Sequence, residues 1–473
     1  MTACIWFRSD LRVDDNTALN AALQARHERL GALYYATPEQ WREHDMAAVK
    51  GEFLWRNLEH LREELGKLHI PLFVKVVPRF ADIPVDLLRF AAQQQVQAVY
   101  ANREYAVNET RRDRAVEEGL REAGIGWFLC DDATLLPPGR VRNRQGQPFK
   151  IFTPFKRELL ALIDTAPVPG RAPKAAGPWR EAPRLPAYPY TCSNVDPALW
   201  PAGEKEAVQR LQRFVESSIG AYQRQRDFPA LAGTSQLSPY LALGVISIRR
   251  CVEAALMANQ GQWQGGDAGV ASWINELLWR EFYTHVLADF PPVSMHRAMR
   301  ASSENVAWRY DDADFQAWRD GKTGFPLVDA AMRQLSETGW MHNRLRMVSA
   351  MFLSKYLLLD WRLGERHFML NLVDGDLAAN NGGWQWSAST GTDAAPYFRV
   401  LNPLRQAERF DPEGAFCKRF LPQLRQLPAR ILLQPGHPAL LATGYPAPML
   451  DLKTARDRML KAFSSAMAPH RKK

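Results

Sequence analysis

The 473-residue sequence is poor in several features that would narrow its class. It has five cysteines, Cys4, Cys130, Cys192, Cys251 and Cys417, odd in number, far apart and without a C-x-x-C pair. A disulfide framework and a structural zinc site are both disfavoured, no metal is expected, and a reducing cytoplasm is the expected compartment. No stretch approaches the roughly 18 consecutive apolar residues of a membrane span. Arg8, Asp10 and Arg12 stand where a secretory signal would carry its apolar run. Neither secretion nor a membrane partner is expected. The sequence has no internal repeat and no low-complexity tract, and with 46% hydrophobic and 23% charged residues it is not a disordered chain. The first strand-like run is followed by Arg8-Ser9-Asp10-Leu11-Arg12, with no G-x-G-x-x-G, so an NAD-type fingerprint is absent.

The length suggests two or three domains. Charge is unevenly distributed. Residues 1–130 hold 17 Lys/Arg against 19 Asp/Glu, which leaves 43 against 32 for the remainder of a chain whose net charge is +9. A basic C-terminal part suits a polyanion partner, because neutralising phosphates takes Lys and Arg on one surface. A basic but solvated surface is the alternative.

Up to residue 132 the pattern alternates. Ala3–Phe7, Leu30–Ala36, Pro71–Val77, Ala98–Arg103 and Gly126–Cys130 read as short apolar strands, and Gly51–Leu68, Val85–Val96 and Glu109–Ala123 have helical period. Apolar strands separated by amphipathic helices predict an α/β domain built on a doubly wound parallel sheet. Residues 133–201 are punctuated by prolines, among them Pro137, Pro138, Pro167, Pro169, Pro173, Pro178, Pro183, Pro186, Pro189 and Pro197. They read as a long linker with one helix near Pro154–Ile163. From residue 202 to 473 strand signals nearly vanish. Glu204–Ser217, Pro239–Ala258, Ala268–Asp289, Phe325–Thr338, Asn343–Leu359 and Gly364–Leu372 predict a larger all-α domain.

This second half and its entry carry 10 of the 15 tryptophans. Each can pack in a core, stack on a base or planar cofactor, or relay an electron. Gly233-Thr234-Ser235-Gln236-Leu237-Ser238-Pro239 precedes a helical segment, with Ser238 placed to cap and Pro239 suited to the first turn. Such a loop holds a phosphate or simply caps a helix. In Trp273–Phe282, Trp273, Glu276 and Arg280 line up at i+3 and i+4 steps, with Trp279 beside Glu276. Trp340–Met347 places Asn343 and Met347 on one face, with Arg344 and Arg346 turned elsewhere. Asp374–Trp386 is the densest cluster of polar, Gly and Trp residues, and Asp376 and Asn380 would share a helix face. Its carboxylates do not continue at EF-hand spacing. They accept hydrogen bonds from a polar ring or pair with Arg, unless the segment is only a capped turn with a glycine hinge.

Taken together these segments resemble the DNA photolyase/cryptochrome family, and within it the bacterial photolyases specific for cyclobutane pyrimidine dimers. The resemblance runs nearly end to end: Trp6–Arg12, Gly233–Ser238, Leu277–Phe282, Thr338–Met347 and Asp374–Thr392. It implies an α/β antenna domain (1–132), a linker (133–201) and an all-helical FAD- and DNA-binding domain (202–473). Tyr222, Thr234, Ser235, Gln236, Leu237 and Ser238 match residues around the FAD phosphates; Trp273, Arg346, Asp374, Asp376 and Asn380 match residues lining the flavin, with Asn380 at N5 and Asp374 paired with Arg346. The implied reaction is light-driven electron transfer from reduced, anionic FAD to a flipped-out dimer. Glu276 would hydrogen-bond the dimer, Trp279 and Trp386 would clasp it, and Asn343 and Met347 would complete the wall. Trp384, Trp361 and Trp308 match an electron relay from flavin to surface. Arg226, Arg280, Arg344 and Arg399 are the expected phosphate and pocket-rim contacts on UV-damaged DNA. His44, Asn108 and Glu109 match the methenyltetrahydrofolate-contacting positions of folate-type members. Ser294 and Met295 depart from that pattern, which leaves a deazaflavin or no antenna as alternatives. A monomer without an obligate protein partner is expected.

Three rivals are weaker. A cryptochrome-like photoreceptor would often carry Asp or Cys at position 380 and a long C-terminal tail. Repair of the pyrimidine–pyrimidone photoproduct would place histidines at 343 and 347. A non-catalytic flavin- and DNA-binding module would not need Glu276, Trp279 and Trp386.

Overall fold

The computed structural model describes residues 2–163 and 183–467. Pro167, Pro169, Pro173 and Pro178 of the expected linker lie outside them. The chain forms two compact units: Met1–Gly220 with Ser235–Pro291 and Val373–Gly375, and Ala221–Thr234 with Pro292–Leu372 and Asp376–Lys473.

The first unit holds one parallel sheet of β1 (Thr2–Phe7), β2 (Arg29–Ala36), β3 (Leu72–Val76), β4 (Val96–Asn102) and β5 (Gly126–Cys130), in the order β3-β2-β1-β4-β5. β1 is central and wholly buried, as its near-continuous apolar run requires of a strand covered on both faces. Helices Ala48–Lys67, Ile83–Gln94 and Val107–Glu122 cross between strands, within a few residues of the predicted limits. Two short helices, Thr17–Gln24 and Pro38–Glu43, went unpredicted because eight and six residues give too little period to read. Winding reverses between β1 and β4, so the connections leaving the carboxyl ends of β1, β2 and β4 meet at a topological switch point.

Helices Phe152–Leu162, Glu204–Ser217 and Ala268–Asp289 follow the prediction closely. The predicted helix Pro239–Ala258 is instead two, Ser238–Ala242 and Ile248–Ala258. Gly244 between them has φ +60°, and a Cβ there would fall 2.2 Å from the Ser9 carbonyl oxygen. Only glycine lets the chain pass so close to the loop after β1. Buried charges fasten these parts together: Asp132 takes Arg12 and Arg249 at 2.7 and 2.8 Å, and Arg249 also reaches Asp15 at 2.8 Å. The two guanidinium groups hold the Asp132 carboxyl far below its usual range against the effect of burial.

The second unit is built from helices around Trp318, Phe352, Trp361, Phe368 and Trp384. The predicted helix Asn343–Leu359 runs as α-helix from Asn343 to Met351, widens to a π-helix over Phe352–Leu357, and stops at Leu358, φ +56°. The glycine pair Gly382-Gly383 is no hinge. Asp376 caps a helix Leu377–Ala388 by accepting from the amide of Ala379 at 2.8 Å, and Gly382 and Gly383 lie inside it. Among the described residues, no helix is long and apolar enough to cross a membrane.

Candidate functional site

At the switch point of the sheet the structure brings His44, Asn108 and Glu109 together. His44 follows the short helix after β2, and Asn108 and Glu109 open the helix after β4. Asn108 Nδ2 lies 2.9 Å and Gln40 Nε2 3.1 Å from His44 Nε2, while His44 Nδ1 is 3.7 Å from Glu109. With two amide donors on Nε2, the ring carries its proton on Nδ1. Burial lowers the His44 imidazole below its usual range. Burial and the neighbouring Glu104 charge raise Glu109 to about 7. Arg112 takes Glu104 and Asp113 at 2.9 and 2.7 Å and lies 4.7 Å over the Phe80 ring. Among the described residues no cluster could hold a metal ion.

Also in the first unit, Asp267 caps the helix Ala268–Asp289 by accepting from Val270 at 2.9 Å. On that helix Trp273 is buried against Phe214, 5.1 Å between rings, and Glu276 lies half-buried one turn on. Trp279 stacks on Phe152, 3.8 Å apart and within 11° of parallel, so one indole face is covered by protein. Arg280 differs from expectation. Its guanidinium donates to the carbonyls of Ala133 and Leu241 at 2.9 and 3.4 Å, which makes it a brace within the unit. Glu281, fully buried, accepts from the amides of Leu135 and Leu136 and pins the start of the linker to the same helix. Sequence reasoning passed over Glu281, because only the fold reveals its partners. Leu237, not Ser238, occupies the cap position of Ser238–Ala242, and no side chain caps it. The ordinary capping account of Ser238 therefore falls away. Gln236, in left-handed backbone at φ +49°, accepts from Arg210 at 3.1 Å. Ser235 is half-buried in this loop, and Asp374 lies in the segment Val373–Gly375, whose last carbonyl accepts from Lys50 at 2.5 Å.

The second unit holds the remaining candidates. Tyr222 is buried beneath the Arg226 guanidinium at 5.7 Å, and Thr234 is half-buried. Arg344 pairs with Asp227 at 2.7 Å and lies 4.6 Å over Phe410, whereas Arg346 donates to the Met341 carbonyl at 2.8 Å. Asn343 is exposed, and Met347, one turn on, is half-buried. His342 caps this helix through Nδ1, and its ring is buried. Asn380 is buried, its amide donating to the Glu365 carbonyl at 3.0 Å and its own N–H to the Asp376 carbonyl at 2.8 Å. Glu365, which no sequence signal marked, also takes Asn381 at 2.7 Å and His296 at 2.9 Å. Trp384 and Trp361 are both fully buried, and Trp308 is half-buried, edge-on to Phe463 at 5.7 Å. Trp386 is half-buried and Arg399 exposed.

Two observations in this unit, a donor and room along one helix, fit a bound group with a hydrogen-bond acceptor. The Trp384 indole N–H is buried without a partner, and a Cβ on Gly383 of the same helix would meet nothing within 4 Å. A buried donor lacking an acceptor is unfavourable until an acceptor reaches it.

Residues 3–174 match the family described as DNA photolyase, and residues 273–465 the FAD binding domain of DNA photolyase. The chain belongs to the DNA photolyase family and carries its FAD-binding domain. It is similar to the deoxyribodipyrimidine photo-lyase of Escherichia coli, 45% identical over 471 residues, covering 98% of this chain and 99% of the relative. The Vibrio cholerae enzyme of the same name is 44% identical over 469 residues, with 98% and 99% covered. Among solved structures, a class III photolyase from Agrobacterium tumefaciens superposes with TM-score 0.88 at 32% identity, covering 99% of this chain and 98% of that one. A Synechocystis cryptochrome gives 0.85 at 27%, covering 98% and 99%. Family membership makes the chain a flavin-dependent DNA-repair lyase.

Proposed function

We propose that the chain uses near-UV or blue light to split cyclobutane pyrimidine dimers in UV-damaged DNA. The observation that carries this reading is Asn380: a neutral amide, buried and fixed by the Glu365 carbonyl, on the one helix that also bears Trp384 and Trp386. A neutral hydrogen-bonding group there leaves a negative ring charge unopposed by a carboxylate, and Arg346 adds positive charge. Reduced FAD, when bound, supplies the electron that weakens the ring bonds of the dimer.

Tyr222, Thr234, Ser235, Gln236, Leu237 and Ser238 hold the FAD phosphates through hydroxyls and backbone amides, and Trp273, Asp374 and Asp376 line the rest of the cofactor. Glu276 accepts or donates a hydrogen bond at the base edge of the dimer. Trp279 and Trp386 clasp it. With Phe152 stacked on one face, the Trp279 ring is fixed in orientation before DNA arrives, which lowers the ordering cost of stacking. Asn343 and Met347 form the wall. Arg226, Arg344 and Arg399 meet phosphates, and Asp227 and Phe410 fix the Arg344 guanidinium for that contact. Trp384, Trp361 and Trp308 carry electrons inward from the surface.

The antenna is methenyltetrahydrofolate, held by His44, Asn108 and Glu109. Their convergence at the switch point, where ligands of doubly wound sheets bind, supports this. A Sulfolobus tokodaii photolyase structure is described with two FAD molecules, so a second flavin is the competing antenna. The division at residues 132 and 201, a monomeric state and a cytoplasmic location complete the proposal.

Purified protein should carry a flavin absorption spectrum and bind UV-irradiated oligothymidylate in preference to unirradiated strands. Absence of bound flavin, or equal affinity for both strands, would contradict it.

A further inference from the structure

Lys355 is fully buried in the second unit, yet both its hydrogen-bond acceptors are neutral: Ser389 Oγ at 2.9 Å and the Arg399 carbonyl at 2.8 Å. Buried ammonium groups ordinarily sit against carboxylates. Burial, with the positive charge of Arg399 added, lowers this amine to about 7. It stands in the π-helix Phe352–Leu357, where the wider turn carries Ser354 and Lys355 inward together.

Its two acceptors are the two ends of one segment. Ser389, φ +63°, ends the helix that bears Trp384 and Trp386, and residues 389–399 return across that helix end. There Thr390 N–H donates to the Gln385 carbonyl at 3.0 Å and Ala395 N–H to the Trp386 carbonyl at 3.3 Å. The first residues of the segment, Ser389 to Thr392, are buried, while Pro396, Phe398 and Arg399 near its far end are exposed. A cation between a helix C-terminus and a further carbonyl is favoured by both dipoles.

We infer that Lys355 is a positioning residue for lesion binding, a clasp that closes residues 389–399 so that Trp386 and Arg399 are held ready for damaged DNA. The inference rests on the lesion-contact reading of those two residues given above.

The test compares wild type with Lys355→Met, which keeps the apolar stem, and Ser389→Ala, which removes one acceptor. Hydrogen exchange of amides 389–399 is followed in the DNA-free holoprotein, and dark affinity is measured for an oligothymidylate carrying one dimer. Lys355→Met should exchange about tenfold faster in this segment and bind the lesion about tenfold more weakly, with flavin content and repair per bound complex unchanged; Ser389→Ala should do so to a smaller degree. The gap between wild type and Lys355→Met should narrow as pH rises through about 7, where the ammonium loses its proton. Unchanged exchange in both variants would overturn the clasp. Faster exchange with unchanged affinity would overturn the link to lesion binding, and with it the lesion-contact role of this segment. If Lys355→Met does not fold, Ser389→Ala decides by the same two readings.

Discussion

Gly364 packs directly on the benzo rim of Trp384: a Cβ at position 364 would sit 2.1 Å from the indole Cη2 and 2.7 Å from Leu353 Cδ2. The ring is buried, edge-on to Phe368 at 4.9 Å and to Trp318 at 6.1 Å, so it has nowhere to move. Gly364→Ala should cost about 1–3 kcal/mol of stability through overpacking. Because Trp384 is the innermost relay candidate, the variant should also slow photoreduction of oxidised flavin. Thermal denaturation and light-induced bleaching of the flavin band read the two effects; an unchanged Tm would show that the core yields here.

Trp308, half-buried against Phe463, is the outermost relay candidate. Trp308→Phe should abolish photoreduction of oxidised flavin by external reductant, yet leave repair by chemically pre-reduced enzyme within about twofold of wild type. Photoreduction that continues at the wild-type rate would remove Trp308 from the relay.

Glu276 stands half-buried one turn from Trp273 and beside Trp279 on the helix Ala268–Asp289. Glu276→Ala should lower repair by about two- to tenfold, the worth of one hydrogen bond in a desolvated site, with FAD still bound. Loss of the flavin would move Glu276 from the lesion to the cofactor.

Glu109 predicts a pH effect of definite sign. Its folded carboxyl is raised by burial and by Glu104 to about 7, above the usual 4.5. Between those values the folded state holds a proton that the unfolded state has released, so this group makes stability fall as pH rises. Above about 7 the cost is fully present. Glu109→Gln should flatten that part of a stability–pH profile measured without folate, and should weaken folate binding. An identical profile in the variant would show that Glu109 does not titrate there.

Asp132 bears on acid stability with the opposite sign. Arg12 and Arg249 hold its folded carboxyl below the usual range, so its stabilisation is present at neutral pH and lost as acid protonates it. Asp132→Asn leaves two guanidinium groups without their shared anion and should cost about 3–5 kcal/mol. Denaturant titration at neutral pH measures it; a cost under about 1 kcal/mol would mean that the neighbouring carboxylates take over.

The sheet was legible because its strands are continuous apolar runs with turn residues between, and Gly126–Cys130 falls where its composition put it. The helix Ala268–Asp289 was legible to the residue, with a capping aspartate before it. The helix Leu377–Ala388 was not, because its Asn and Gly residues are poor helix formers. Burial of Trp384 against Gly364 and the Glu365 clamp on Asn380 and Asn381 hold it in place. The break at Gly244 came from a close approach to a loop some 230 residues earlier, which local pattern cannot carry. The candidate residues followed from motif order. Their supports, Glu365, Phe152 and Lys355, did not, since a buried charge or a stacked ring gives no periodic signal before its partners are known.

The most direct measurement is illumination of the purified, reduced protein with UV-irradiated oligothymidylate, following absorbance of the restored thymines near the base band. Absorbance should recover under blue or near-UV light in proportion to exposure and remain flat in darkness. Equal traces in light and dark, from protein shown to carry reduced flavin, would contradict the account.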